Sequence, residues 1–445
     1  MNRLIVLLGT GQNRLTGLSD KSYRKTNYSR QDNQYTIETP FFAEALVTLY
    51  PNTFDALDIF GTTDSMWETL LVHCLGESIT DEDNHVFNEL TAKNRTVSDK
   101  ALNHIAQLFL KKFSHTIKQV TCHLVPVGRN DAEIWQIFEA ITACCQEKDI
   151  ISIDITHGLR YQSAFLLLAA VMLRTIKHLK IRSVFYGAFE LKEGDIAPIL
   201  DLKPLVEILD WTLAINDFQS YSNAQKLVEL LNDKRLTQAL STFSTALQIN
   251  DSQRVGREAK GIQNYFANPE HKQALPPPAK LLLPFLQKLP QTLAAETKEW
   301  ARYLKIARWQ FDHEQLGLAI LSTWEAVICR IAELLSISNY ENNQKLYAEL
   351  SRIARAREPY QYLSDLYSRF NLTDFYRNAE QLNTFRKAIA HADTLQQLLL
   401  QDIRTQYRQI LGFFEQHLGS AELSQVFSQE VVQTIRNTFT QNKTL

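Results

Sequence analysis

The sequence predicts an α/β domain built on a doubly wound parallel sheet of Rossmann-like type, joined to an all-helical C-terminal half. Three observations carry this. Five short, almost continuously apolar runs punctuate the first 200 residues, with amphipathic helical patterns between them. Strand signals fade after DLKPLVEILDW (201–211), and helical periodicity continues almost to residue 445. Pro276, Pro277 and Pro278 then mark a break that cannot be helix interior.

The expected strands are LIVLLG (4–9), ALDIFG (56–61), CHLVPVG (122–128), IISIDITHG (150–158) and IRSVFYGAFE (181–190). Parallel strands covered on both faces read in this way, without alternation. Helices are expected at 41–50, 65–75, 98–118, 131–147 and 160–179. Capping boxes at Ser65–Glu68 and Asn130–Glu133 open two of them. Right-handed βα crossovers connect such units into an open sheet. The resulting division is 1–205 for the α/β domain, 206–280 for a helical linker or intermediate domain, and 281–445 for a helical C-terminal domain.

Composition narrows the function classes. The 445 residues suit two or three domains, and 45% hydrophobic with 22% charged residues fits a folded chain. A formal net charge of −2 excludes a globally basic nucleic-acid binder, so any such binding must be a local patch. The five cysteines show no CxxC spacing, which argues against structural zinc and for a reducing compartment. The apolar run in MNRLIVLLGTG is too short for a signal peptide. AFLLLAAVML (164–173) is about half a bilayer crossing and reads as a helix buried on most faces. A cytoplasmic protein without membrane contact or metal is expected.

The strand ends carry the chemistry. In doubly wound sheets, ligands bind beyond the carboxyl ends of the strands. Those ends hold Gly9-Thr10-Gly11, Gly61-Thr62-Thr63-Asp64-Ser65, Gly128-Arg129-Asn130 and Thr156-His157-Gly158. Glycine admits close backbone approach, and each following helix offers N–H groups to an anion. Thr156, His157, Arg129 and Arg160 add donors suited to phosphate or ribose. Glycine and threonine are also ordinary turn and cap residues, so no single loop decides the matter. Arg14 stands where a dinucleotide fingerprint needs its third glycine, and GxxxxGK[ST] is absent.

DITHGLR further resembles the DxTHG signature of the CARF sensor proteins of type III CRISPR systems, with Asp154, Thr156, His157 and Gly158 in the signature positions. The opening strand with Gly9-Thr10-Gly11, GTTDSMW and VPVGRNDAEIW are also similar to that family, so the resemblance spans roughly 1–210. It implies a homodimer, with higher assembly left open, whose paired domains form one symmetric pocket for a cyclic oligoadenylate. Cyclic tetra-adenylate is the expected activator, although the sequence does not separate four adenylates from six. Gly9, Thr10, Gly11, Thr62, Ser65, Arg129, Thr156, His157, Gly158 and Arg160 are the candidate ligand residues.

In the helical half, QLNTFRKAIAHADTLQQLLL places Leu382, Phe385 and Ile389 on an apolar side. Arg386 and His391, about 140° apart, flank one face. Against RNA, histidine can move the proton of a 2′-OH that attacks the adjacent phosphate, while arginine stabilises the phosphoryl charge. That chemistry needs no metal or cofactor. The RxxxxH spacing resembles the motif of HEPN ribonucleases, and WQFDHEQLGLAILSTWEAVICRI (309–331) is similar to the long helix that precedes it there. Lys387 departs from the small polar residue often found after the arginine. Asp312, His313 and Glu314 are adjacent, not spaced for a metal. The resemblance implies an allosteric endoribonuclease that cuts single-stranded RNA, with no stable association with the interference complex. Two rivals stand beside it: a non-catalytic sensor, and a CARF pocket that degrades its own ring through Thr10, His157 and Arg160.

Overall fold

Strand β1 (Asn2–Leu8) is buried along almost its whole length and sends alternate residues to two separate cores. Leu4, Val6 and Leu8 join Phe42, Leu46, Leu70, Ile105 and Phe109 on one face. Ile5 and Leu7 join Ile137, Ile141, Leu166 and Leu173 on the other. This two-sided burial explains the unbroken apolar runs. The computed structural model describes residues 1–10, 25–30, 35–75, 79–92, 94–390 and 400–441. The chain divides into two compact units, Met1–Ile208 and Leu209–Leu445.

The first unit continues with β2 (Thr26–Ser29), β3 (Thr36–Thr39), β4 (Ala56–Gly61), β5 (Gln119–Leu124), β6 (Ile150–Asp154), β7 (Lys180–Gly187) and β8 (Ile196–Asp201). Its helices are α1 (Phe42–Leu49), α2 (Trp67–Cys74), α3 (Asp81–Thr91), α4 (Asp99–Phe113), α5 (Asp131–Cys144) and α6 (Arg160–Ile176). Among the described residues the strands form one sheet in the order β3-β2-β8-β7-β6-β1-β4-β5. The five expected strands run parallel to one another, and β2 also pairs in parallel with β8. The order reverses between β1 and β6, which is the topological switch point of this fold class.

The sheet as a whole is mixed: the expected doubly wound parallel sheet is present, and antiparallel strands at one edge correct only its extent. β8 runs antiparallel to β7, and β2 and β3 extend that edge. These strands escaped the pattern for physical reasons. TNYS and TIET are four residues each and polar, while β8 carries Pro198, which ordinarily marks an edge or a non-strand. A second correction concerns α6. Leu166, Ala169, Ala170 and Leu173 are buried, but Leu168 is 62% and Met172 46% exposed, so only one face meets the sheet.

The second unit is helical throughout its described residues. One core gathers Phe218, Phe243, Leu247, Ile262 and Phe266, and another gathers Trp324, Tyr367, Phe375, Leu382, Tyr407 and Phe414. Pro277 opens the helix Pro277–Ala294, where a missing N–H costs nothing. The single long helix expected over 309–331 is instead two, Glu299–Asp312 and Leu316–Leu334. Glu314 takes φ +62° between them, and the Gln315 amide returns to the Gln310 carbonyl at 2.8 Å. The buried Gln310 side chain holds this turn by bonding Asn250 at 2.8 Å and accepting from Ser322 at 2.7 Å. No helix among the described residues is long and apolar enough to cross a membrane.

Candidate functional sites

At the switch point the loop after β4 is fastened to the end of β1. The Ser65 hydroxyl donates to the Leu8 carbonyl at 2.7 Å and accepts from the Thr62 amide at 2.9 Å. The Met66 amide donates to the Gly9 carbonyl at 3.0 Å. Trp67 Nε1 donates to the Thr62 carbonyl at 2.9 Å, packed so closely that a side chain at Gly61 would overlap its ring. Thr62 and Ser65 are 3% and 1% exposed, so both hydroxyls brace the rim instead of facing a ligand. This also corrects the first capping box: Ser65 is engaged with β1, and α2 starts at Met66 without a side-chain cap.

The second expected capping box forms only in its Asn130 half, and its glutamate reaches further back. Asn130 accepts from the Glu133 amide at 3.0 Å, while Glu133 accepts from the amides of Gly128 at 2.9 Å and Arg129 at 3.0 Å. Those two backbone bonds hold the Glu133 carboxyl below its ordinary pKa. Two N–H groups that would suit an anionic ligand are thus already occupied, and Arg129 contributes an exposed side chain. Gly128, at φ +87°, supplies the left-handed turn that aims them.

The loop after β6 is the most tightly determined. Asp154 is 1% exposed, and its Oδ1 accepts the Thr156 amide at 2.7 Å. Burial pushes the Asp154 carboxyl up to about 7, with the Thr156 bond opposing the rise. Thr156 in turn accepts the Gly187 amide at 2.8 Å, which ties the loop to the end of β7. Gly158 takes φ +98°, and a Cβ there would lie 3.1 Å from Leu7 Cβ. His157 turns its ring to a small cavity that it lines with Asp154, Leu8, Phe42 and Phe109. Burial lowers the imidazole to about 4, so the ring is neutral at ordinary pH.

The structure therefore sorts the candidates of the rim. Gly9, Thr62, Ser65, Thr156, His157 and Gly158 shape it, whereas Arg129 and Arg160 are exposed on it and Thr10 is half-buried. Gly11 lies outside the described residues. Sequence reasoning missed Tyr161, which is 42% exposed in the first turn of α6 and bonds its hydroxyl to the Val127 carbonyl. An aromatic residue just after the THG loop was the available signal.

In the second unit, Arg386 sits on the helix Asp374–Ala390. Leu382 and Phe385 pack inward as expected, but Ile389 is 38% exposed, because the buried stripe runs through Phe375, Ala379, Leu382 and Phe385. The Arg386 guanidinium lies 5.2 Å from the centroid of the buried Trp324 ring and donates to Asn383 Oδ1 at 3.2 Å. Trp324 Nε1 donates to the Tyr347 hydroxyl at 2.9 Å, and that hydroxyl donates to Glu325 Oε1 at 2.5 Å. Burial raises the Glu325 carboxyl, while the Tyr347 bond and the Arg386 charge pull it down. Asn383, Trp324, Tyr347 and Glu325 form a support that no periodic pattern along the chain marks. His391 lies outside the described residues. Among the described residues, no group of three or more His, Cys, Asp or Glu is placed to hold a metal ion.

Comparison with known proteins adds four findings. Residues 4–190 match the family model of the CARF domain of CRISPR system endoribonuclease Csx1. Residues 207–296 match that of the second domain of CRISPR-associated protein MJ1674. The chain is similar to CRISPR-associated protein MJ1674 of Methanocaldococcus jannaschii, 25% identical over 409 residues, covering 88% of this chain and 62% of the relative's own length. It is also similar in structure to Enterococcus italicus Csm6 bound to cyclic hexa-2′-fluoro-hexa-dAMP. That match has 11% identity, 98% and 99% coverage of the two chains and a TM-score of 0.40.

Proposed function

We propose that this chain, whose N-terminal unit is a CARF domain of the CRISPR-associated proteins, senses a cyclic oligoadenylate and responds by cutting single-stranded RNA. The observation that carries the sensing half is the Asp154–Thr156–Gly158 loop, locked at the switch point beside β1. The exposed Arg129 and Arg160 supply charge for phosphates, and Tyr161 a ring face for a base. Cyclic tetra-adenylate is the activator we assign.

A ring with its own rotational symmetry suits a two-fold pocket, so the acting species is a homodimer. Trp135, Leu168, Met172 and Ile176 support this, being 59%, 62%, 46% and 54% exposed. The three on α6 recur every four residues and form one apolar stripe.

For the effector half we assign residues 281–445 as a HEPN-like domain, with 206–280 between it and the sensor. Arg386 stabilises the charge on the scissile phosphate, held in place by Trp324 and Asn383. His391 manages the protons. The 2′-oxygen attacks the adjacent phosphorus, the bond to the 5′-oxygen breaks, and the proton lost by the 2′-OH is balanced by one gained at the leaving oxygen. The products are a 2′,3′-cyclic phosphate and a 5′-hydroxyl.

The test is cleavage of fluorescent single-stranded RNA in EDTA, with and without cyclic tetra- or hexa-adenylate, beside His391→Ala and Arg386→Ala. Ring-dependent cleavage lost in both variants supports the proposal. Intact RNA in the presence of a bound ring makes the chain a sensor without nuclease activity.

A further inference from the structure

The concavity beside Arg386 does not end there. Asn383, Arg386 and Lys387 line a groove of about 450 Å³ that also includes Arg352 and Arg355. The same two arginines line an adjoining groove of about 1260 Å³, together with Arg357, Arg377 and Tyr376. Across both, six cationic side chains face three carboxylates, Glu341, Glu358 and Glu380. In a chain of net charge −2, this is a concentrated positive surface.

The charge is cancelled only in part: Arg352 pairs with the buried Glu349 at 2.6 Å, while the other cations share fewer or more exposed partners. Arg355 and Arg357 share the single carboxylate of Glu380, at 3.5 and 3.2 Å. Arg386 bonds the neutral Asn383, and the buried Glu325 carboxyl also feels its charge. Arg377 reaches Asp374 at 3.5 Å, but both are about two-thirds exposed, and such pairs contribute little. Burial lowers the pKa of Arg355; Glu380 opposes the shift, and the charges of Arg357, Arg386 and Arg352 add to it. Half-buried Tyr376 offers a ring to the groove, and Arg377 lies 5.9 Å from its centroid. A cationic track with an aromatic platform is the physical pattern of single-strand binding.

We infer that this groove holds the RNA strand next to the scissile phosphate, with Arg355 and Arg357 gripping backbone phosphates and Tyr376 stacking a base. The inference rests on the proposed RNA-cutting role of Arg386 and extends it to the substrate's path. It makes Arg352, Arg355, Arg357 and Arg377 binding residues, with no part in the bond-breaking step. The groove reads backbone charge, so strand length matters more than sequence.

The experiment measures binding of labelled single-stranded RNA to full-length protein by anisotropy across a salt series, with cyclic tetra-adenylate present. His391→Ala serves as the background, so that RNA survives. Into it go Arg357→Gln with Arg377→Gln, both exposed and safe for folding, or Lys260→Gln as a distant control. Each phosphate contact removed lowers the slope of log affinity against log salt by about 0.7. The double variant therefore loses about 1.4 of slope and about tenfold in affinity, while Lys260→Gln changes neither. Tyr376→Leu weakens binding without altering the slope. RNA binding unchanged in the double variant overturns the groove and leaves the nuclease proposal standing. Groove-dependent binding without cleavage by the unmodified protein upholds the groove and removes the nuclease. Absence of any RNA binding overturns both.

Discussion

Asp154 and His157, three residues apart at the end of β6, line the same small cavity with opposite protonation preferences. Burial raises the carboxyl to about 7 and lowers the imidazole to about 4, so both are neutral inside the fold. In the unfolded chain at pH 5 both are charged. Folding therefore gives the carboxyl a proton and takes one from the imidazole, and the pair's net proton exchange is close to zero.

The sign of each contribution follows from linkage. Asp154 has a raised folded pKa, so its contribution is complete below about pH 4 and is lost as pH rises to about 7. His157 has a depressed one, so its contribution is complete above about pH 6.5 and is lost as pH falls to about 4. Asp154→Asn removes the first and exposes the second. Denaturant unfolding from pH 4 to 8 should show the variant gaining stability relative to wild type as pH rises, by up to about 4 kcal/mol. A constant difference across that range would mean that Asp154 stays ionised in the fold.

Ser65→Ala removes the hydroxyl that bridges the Leu8 carbonyl and the Thr62 amide. Two buried backbone groups then lose a partner, which costs about 1–3 kcal/mol. Thermal unfolding should show the loss, and ring binding should weaken with it because β1 and the following loop separate. Unchanged stability would show that water replaces the hydroxyl.

Gly158→Ala forces a side chain into φ +98° and toward Leu7. Backbone strain of this kind costs about 1–3 kcal/mol. Calorimetric titration with cyclic tetra-adenylate should lose at least tenfold in affinity, while Gly261→Ala, at an ordinary helical φ with open space around it, binds normally.

Tyr347→Phe breaks the link between Trp324 and Glu325 beneath Arg386. Turnover of RNA should fall at unchanged KM, since Arg386 loses its fixed position but keeps its charge. A change confined to KM would place Tyr347 in substrate binding instead.

Leu168→Glu with Met172→Glu charges the apolar stripe of α6. Sedimentation should show dissociation to monomers, with ring binding and RNA cleavage lost together. A retained dimer would move the interface elsewhere.

Sequence alone determined the elements whose cause is local or periodic. Continuous apolar runs mark strands covered on both faces, and their spacing yields β1, β4, β5, β6 and β7 within a few residues. DxTHG and RxxxxH mark the two proposed sites, because each is a few side chains at set intervals along the sequence. Tertiary structure decided everything that depends on which distant groups meet. The short polar β2 and β3 exist only because β8 offers them an edge, and β8 overrides its proline by pairing with β7. Ser65 could have capped a helix but bonds Leu8 instead, and His157 could have faced a phosphate but turns inward. Hydrogen bonding and burial are properties of a neighbourhood, and for Ser65, His157 and Arg386 that neighbourhood includes Leu8, Phe42 and Trp324, tens of residues away along the chain.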